Sequence, residues 1–178
     1  MNLMPSNKTL LMLVGVPGSG KSTWTDKMLL CAEIDFGAEA LSRFEVVATD
    51  EILDIISDRY GMTYNQLFDS NSYKFAEALV DKVVDHAVSN PEITVVVWDQ
   101  TNLSSKTRKK KLAKIPADWH KIAIVFPTPD GEEHKRRLDS RPGKKIPENV
   151  LKLMINTMQY PSVEEGFDDI VTAKEVAF

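Results

Sequence analysis

Eight residues, Gly15-Val16-Pro17-Gly18-Ser19-Gly20-Lys21-Ser22, constrain this chain more than any other stretch. They follow Lys8 to Val14, apolar enough for a buried strand, and precede Lys21 to Cys31, where Trp24, Met28 and Leu29 fall at helical spacing. A glycine, four residues and Gly-Lys-Ser between a strand and a helix is the pattern of a phosphate-binding loop. The glycines let successive backbone N–H groups turn around phosphate oxygens, and the following helix presents its positive end. In that setting Lys21 reaches the β- and γ-phosphates of a nucleoside triphosphate, and Ser22 offers a hydroxyl to Mg2+. The plain alternative is a glycine-rich turn that merely joins strand to helix.

The rest of the chain repeats the alternation. Strands are predicted at Glu45 to Ala48, Ile93 to Trp98 and Lys121 to Phe126, the latter two continuously apolar or β-branched as in a sheet covered on both faces. Helices are predicted after Asp50 with Ile52, Ile55 and Ile56 on one side, from Tyr73 to Val88, from Ser104 to Ile115, and from Gly131 to Leu138. Pro147 opens a last one reaching Tyr160. Tyr60 to Ser72 reads as irregular and aromatic. The expectation is an α/β fold, a parallel sheet with helices on both faces, in one domain spanning 1–178 with an arginine-bearing lid at about 136–147.

Charge narrows the class of partner. The 178 residues carry a net −4, yet Ser104 to Lys145 holds 13 Lys or Arg against 5 Asp or Glu, and the remainder 9 against 21. A cationic region on an acidic body suits a protein that grips phosphates at one place. With one cysteine, Cys31, no internal disulfide and no cysteine-based metal cluster can form. Leu10 to Val16 is too short to span a bilayer and leads into no cleavage site, so a cytoplasmic protein without a membrane partner is expected.

Four further groups bear on chemistry. Asp50 lies just past the second strand, where ligands gather in open parallel sheets, and a carboxylate there can take the proton of an attacking hydroxyl; the competing role is the N-cap of the next helix. Asp99 ends the apolar run Val95 to Trp98 as the carboxylate after that strand, able to orient magnesium or engage an acceptor, or simply to make a polar turn. Arg136, Arg137 and Arg141, with Lys144 and Lys145, flank Pro142-Gly143; brought over a triphosphate, arginines stabilise the transferring phosphoryl group, whereas on a surface loop they do nothing of the kind. Lys106, Arg108, Lys109, Lys110, Lys111 and Lys114 crowd one helix, either to meet a polyanion or as a solvated face. His86, His120 and His134 show no ligand spacing and read as structural or exposed. Tyr60, Tyr64, Phe68 and Tyr73 could stack on a base or pack in the core.

Taken together, Gly15 to Trp24, Thr49-Asp50, Asp99-Gln-Thr-Asn-Leu103 and Arg137-Leu-Asp-Ser-Arg141 with Ile146-Pro147 resemble the polynucleotide 5′-hydroxyl kinase family, phage enzymes and the kinase domain of kinase-phosphatases alike. Tyr160 to Phe167 is similar to the Pro-x-x-x-Glu-Gly-Phe close of the wider group and returns the chain to the sheet. The resemblance implies ATP and Mg2+ as cofactors, with Gly15, Pro17, Gly18, Ser19, Gly20, Lys21, Ser22, Thr23, Arg137 and Arg141 around the nucleotide. Ser22 and Asp99 then serve the metal, Asp50 is the general base, and the partner is a DNA or RNA 5′-hydroxyl end; the family varies in which residue of the Asp-x-Thr-Asn turn carries the carboxylate, so the resemblance leaves open that Asp50 and Asp99 share or exchange roles. This chain departs from phage members at Leu53, where they carry an arginine. A hydroxymethylated base, a nucleoside-like alcohol or a slowly hydrolysing nucleotide switch are the alternatives. A guanine-specific switch calls for Asn-Lys-x-Asp, and the Asn-Lys here runs Asn7-Lys8-Thr-Leu10.

Overall fold

The computed structural model describes residues 8–63, 66–67, 72–141 and 145–176. Five strands, β1 (Thr9–Val14), β2 (Phe44–Val47), β3 (Val95–Trp98), β4 (His120–Val125) and β5 (Asp169–Thr172), form one sheet in the order β2-β3-β1-β4-β5. Every pairing is parallel, with Thr9 opposite both Val95 and His120. The helices are α1 (Lys21–Phe36), α2 (Thr49–Tyr60), α3 (Ser72–Ser89), α4 (Ser105–Leu112), α5 (Gly131–Asp139) and α6 (Glu148–Thr157), with short 3-10 turns at Ala38–Arg43 and Val163–Glu165.

Side chains alternate across a strand, so the continuous apolar run of β1 feeds two cores. Leu10, Met12 and Val14 join Trp98, Val80 and Val84 under α3 and α4. Leu11 and Leu13 face the other way, onto Trp24, Met28 and Ala32 of α1. Parallel strands then send every C-terminal loop to the same edge. Hydrogen bonds bind those loops together there: Asp99 N–H to Val47 O at 3.0 Å, Phe126 N–H to Val14 O at 2.8 Å, and Gly15 N–H to Thr101 O at 3.0 Å.

Several expectations are corrected. The last helix stops at Thr157, short of Tyr160, and α1 runs on to Phe36 past Cys31. Edge strand β5 is half-exposed along its length and had no apolar run to announce it. On α2 the residue that enters the core is Leu53, fully buried with Leu67 and Ala76, while Ile55 is 67% exposed. Among the described residues no helix is long and apolar enough to cross a membrane.

Candidate active site

The loop after β1 needs its glycines for stated reasons. Gly18 and Gly20 sit at φ +77° and +99°, the left-handed region that L side chains avoid. At Gly15 a Cβ would lie 2.7 Å from Ser19 Oγ and 2.9 Å from Phe126 Cβ. Gly20 is the N-cap of α1 and supplies no side chain, so the first-turn N–H groups face outward as donors for an anion. The outer wall of the loop rests on α5. His134 is buried and donates from Nε2 to Pro17 O at 2.7 Å, an assignment dictated by a carbonyl that can only accept. Of the two roles expected for His134, structural or exposed, the structural one holds: it braces the loop. A buried hydroxyl, Ser19 Oγ, has no hydrogen-bond partner among the described residues and fits a phosphate acceptor.

Lys21 Nζ donates to Gly15 O at 3.0 Å and Val16 O at 3.1 Å, folded back along the loop it serves. Burial lowers its pKa to about 8, countered by Asp99 and Asp50 and abetted by Arg141. Triphosphate oxygens would further favour the charged form. Burial likewise raises the Asp99 carboxyl, with Lys21 and a hydrogen bond from Ser22 pulling it back and Asp50 and Asp26 adding to the rise. One hydroxyl and one carboxylate in contact are hard oxygen donors suited to Mg2+ that keeps its remaining positions for waters and phosphates. No group of three or more His, Cys, Asp or Glu suited to a metal occurs among the described residues.

Asp50 is in the first turn of α2, whose N-cap is Ala48 in extended conformation with no side-chain cap. The capping role proposed for Asp50 is therefore not the one it plays. Its Oδ2 accepts from Arg141 Nη2 at 3.0 Å, so the arginine just past α5 and the carboxylate after β2 meet across the cleft. Arg137 lies near Gly20, whose Cβ position is 3.5 Å from its Nη1, while its Nε holds Glu133 at 2.6 Å. Arg136 also bonds Glu133 and remains exposed. One continuous cleft is lined by Pro17 through Thr23, Asp50, Asp99, Arg137 and Arg141. Gly15 shapes the loop from behind. Pro142, Gly143 and Lys144 of the lid, and Tyr64 and Phe68 of the aromatic group, lie outside the described residues; Tyr60 is exposed.

The basic helix α4 divides into three environments. Arg108 is completely buried: Nε and Nη2 grip Glu165 at 2.7 and 2.6 Å, and Nη1 donates to the carbonyls of Asn102, Leu103 and Gln159. Burial pushes the Glu165 carboxyl up, yet the bonds from Arg108 outweigh it and hold the group below its ordinary range. Just past the end of α4, Lys114 pairs with Asp81 at 2.7 Å. Lys111 turns toward the cleft, over the Trp98 ring at 4.9 Å, donating to Gln100 Oε1 and Asn102 Oδ1. Lys106, Lys109 and Lys110 remain exposed. The polyanion surface read over six residues thus shrinks to three. Buried Asn102, at φ +48°, uses its amide to hold Leu13 O at 2.7 Å and Trp98 O at 3.3 Å, a structural role within the Asp99 turn.

Comparison with known proteins places this geometry. Residues 10–161 match the AAA_33 family model, described as an AAA domain, and the chain belongs to that family. Its fold is the P-loop kinase-like α/β arrangement, and its loop is a nucleotide-binding one. Kti12 of Chaetomium thermophilum, solved in complex with ADP-AlF3, is similar at 16% identity and TM-score 0.65, over 92% of this chain and 87% of that one. A fungal RNA kinase is similar at 18% identity and TM-score 0.57, over 94% and 75%. Shikimate kinase of Acinetobacter baumannii, in complex with shikimate, follows at 17% and 0.53, over 96% and 89%. At such identities the shared property is the fold.

Proposed function

We propose that this AAA domain binds ATP with Mg2+ and transfers the γ-phosphoryl group to a hydroxyl acceptor, the 5′-hydroxyl end of DNA or RNA. The observation that carries it is the meeting of Asp50 and Arg141 at 3.0 Å in the cleft that also holds Lys21 and the Ser22–Asp99 pair. A base, a cationic clamp and a phosphate cradle in one cleft are the parts an in-line transfer requires.

The loop amides and Lys21 hold the phosphates. Ser22 and Asp99 would hold magnesium, which when bound would supply positive charge against the charge developing on the phosphates. Asp50 accepts the hydroxyl proton as the acceptor oxygen bonds to the γ-phosphorus and the bond to the β–γ bridging oxygen breaks, leaving ADP. Arg141, displaced from Asp50 by the acceptor, and Arg137 from the rim of the loop stabilise the equatorial oxygens. Support for a nucleic-acid acceptor comes from the four motif stretches and from exposed Lys106, Lys109 and Lys110 on the helix whose Thr107 and Lys111 line the cleft.

A second reading, transfer to a base-borne or nucleoside-like alcohol, is favoured by Leu53, whose burial leaves that position of α2 with no cation over the acceptor. Labelled ATP offered with 5′-hydroxyl DNA, 5′-hydroxyl RNA, hydroxymethylated-base DNA and nucleosides separates the two. Label on the 5′-hydroxyl oligonucleotides supports the first; label confined to the modified base or nucleosides replaces it with the second.

A further inference from the structure

Lys111 is a partly buried ammonium that the proposed transfer leaves without a task. It sits on α4 one turn after Thr107, and the two share the face that lines the acceptor side of the cleft with Gln100. Its hydrogen bonds go to two amide oxygens, Gln100 Oε1 and Asn102 Oδ1, and it makes no salt bridge among the described residues. The charges facing it come from α3, Glu77 at the cleft rim and Asp81, which is engaged by Lys114.

As a strut Lys111 would be redundant. The Asn102 amide already bonds Leu13 O, Trp98 O and Gln100 O, and Gln100 is fixed by Trp98 Nε1 at 3.0 Å and by Thr49 Oγ1. A neutral donor would serve those two oxygens without the expense of removing an ammonium from water. Burial lowers Lys111 to about 7, against the pull of Glu77 and Asp81, so its charged form is poorly compensated in the free cleft. An arriving anion would compensate it.

We propose that Lys111, with the Thr107 hydroxyl one turn away, seats an anionic group of the acceptor, the phosphate that follows the first nucleoside of a nucleic-acid end. This rests on the reading of the cleft as a kinase site and adds to it the substrate class: an alcohol carrying a phosphate close to the reacting hydroxyl. The seat lies on α4, so a side chain at position 53 is not needed for it.

The test is calorimetric binding of thymidine 3′-monophosphate and thymidine to the protein saturated with Mg2+ and a non-hydrolysable ATP analogue, in wild type, Lys111→Met and Lys111→Arg. Wild type should bind the 3′-phosphate about 10- to 100-fold tighter than thymidine, the range of a charged hydrogen bond. Lys111→Met should erase that preference while leaving the affinity for thymidine and the ATP analogue unchanged, and Lys111→Arg should restore part of it. Equal weakening of both ligands in Lys111→Met would make the residue a strut and overturn the proposal. So would a preference that survives the substitution, or a 3′-phosphate that fails to bind wild type. Thymidine and its 3′-phosphate phosphorylated with equal efficiency would sink the seat and spare the kinase. Lys111-dependent binding with no transfer to any alcohol would sink the kinase and spare the seat.

Discussion

The two halves of the cleft are built differently. On the donor side Pro17 is tied to His134, the Asp99 turn to Gly15 and β2, and Lys21 to the carbonyls of its own loop. On the side assigned to the acceptor, α6, whose Met154 lines the cleft, has no buried residue, and its Leu153 stands 62% exposed. The difference teaches that the phosphate loop is braced before any ligand arrives, whereas in the proposed reading the acceptor is gripped by few groups, Lys111 foremost. Substitutions on the donor side should therefore remove activity for every acceptor. Loss of the proposed base, Asp50, should do the same, whereas substitutions at Lys111 and the outer face of α4 should discriminate among acceptors.

The largest expected effect is at the loop. Lys21→Ala should abolish transfer with all acceptors and weaken nucleotide binding, measured by labelled transfer and calorimetry; retained turnover would remove the loop from the mechanism. Next comes the base. Asp50→Asn should lower turnover by ~10²–10⁴ with nucleotide affinity nearly intact. If Asp99→Asn shows that pattern and Asp50→Asn stays active, the two carboxylates exchange roles and the halves are wrongly divided.

A stability effect of comparable rank lies beneath both halves. Glu165→Gln leaves Arg108 charged and buried without its counterion, a loss on the order of 3–5 kcal/mol in a denaturant titration. Because the Glu165 carboxyl is held below its ordinary 4.5, its contribution is present above that pH and disappears as pH falls through the lower folded value. The variant should accordingly show a shallower acid limb.

What was legible in the chain follows the same division. The loop and strands β1, β3 and β4 are local patterns, written in consecutive residues, and were readable as such. Strand β5 was not, because an edge strand half-open to water needs no apolar run. His134 and Pro17 are 117 positions apart, and no local signal links them. The inward turn of Arg108 did have a signal: it shares a helical stripe with Leu112 and Ile115, both buried, which separates it from its lysine neighbours. Its counterion Glu165, 57 residues on, was beyond reach of any such pattern.

Smaller effects sharpen the acceptor side. Lys111 is depressed from 10.5 to about 7, so between those values the unfolded chain binds more protons than the folded one, and stability rises with pH there. Lys111→Met should flatten that rise in denaturation midpoints taken from pH 6.5 to 10, and an unchanged slope would place the ammonium in solvent. Smallest is the outer face of α4. Reversing Lys109 and Lys110 to Glu should raise KM for a long oligonucleotide and weaken its salt dependence, with a dinucleotide acceptor unaffected; equal kinetics for both lengths would make this face merely solvated.

The most direct test of the central claim is ATP turnover by the purified protein with Mg2+, followed as ADP release with and without a 5′-hydroxyl oligonucleotide. The account predicts negligible release alone, and on addition of the oligonucleotide a release that matches, mole for mole, the phosphate appearing on the 5′ end. Turnover that is the same with and without a hydroxyl acceptor, its phosphate delivered to water, would contradict it and make the cleft that of a nucleotide switch.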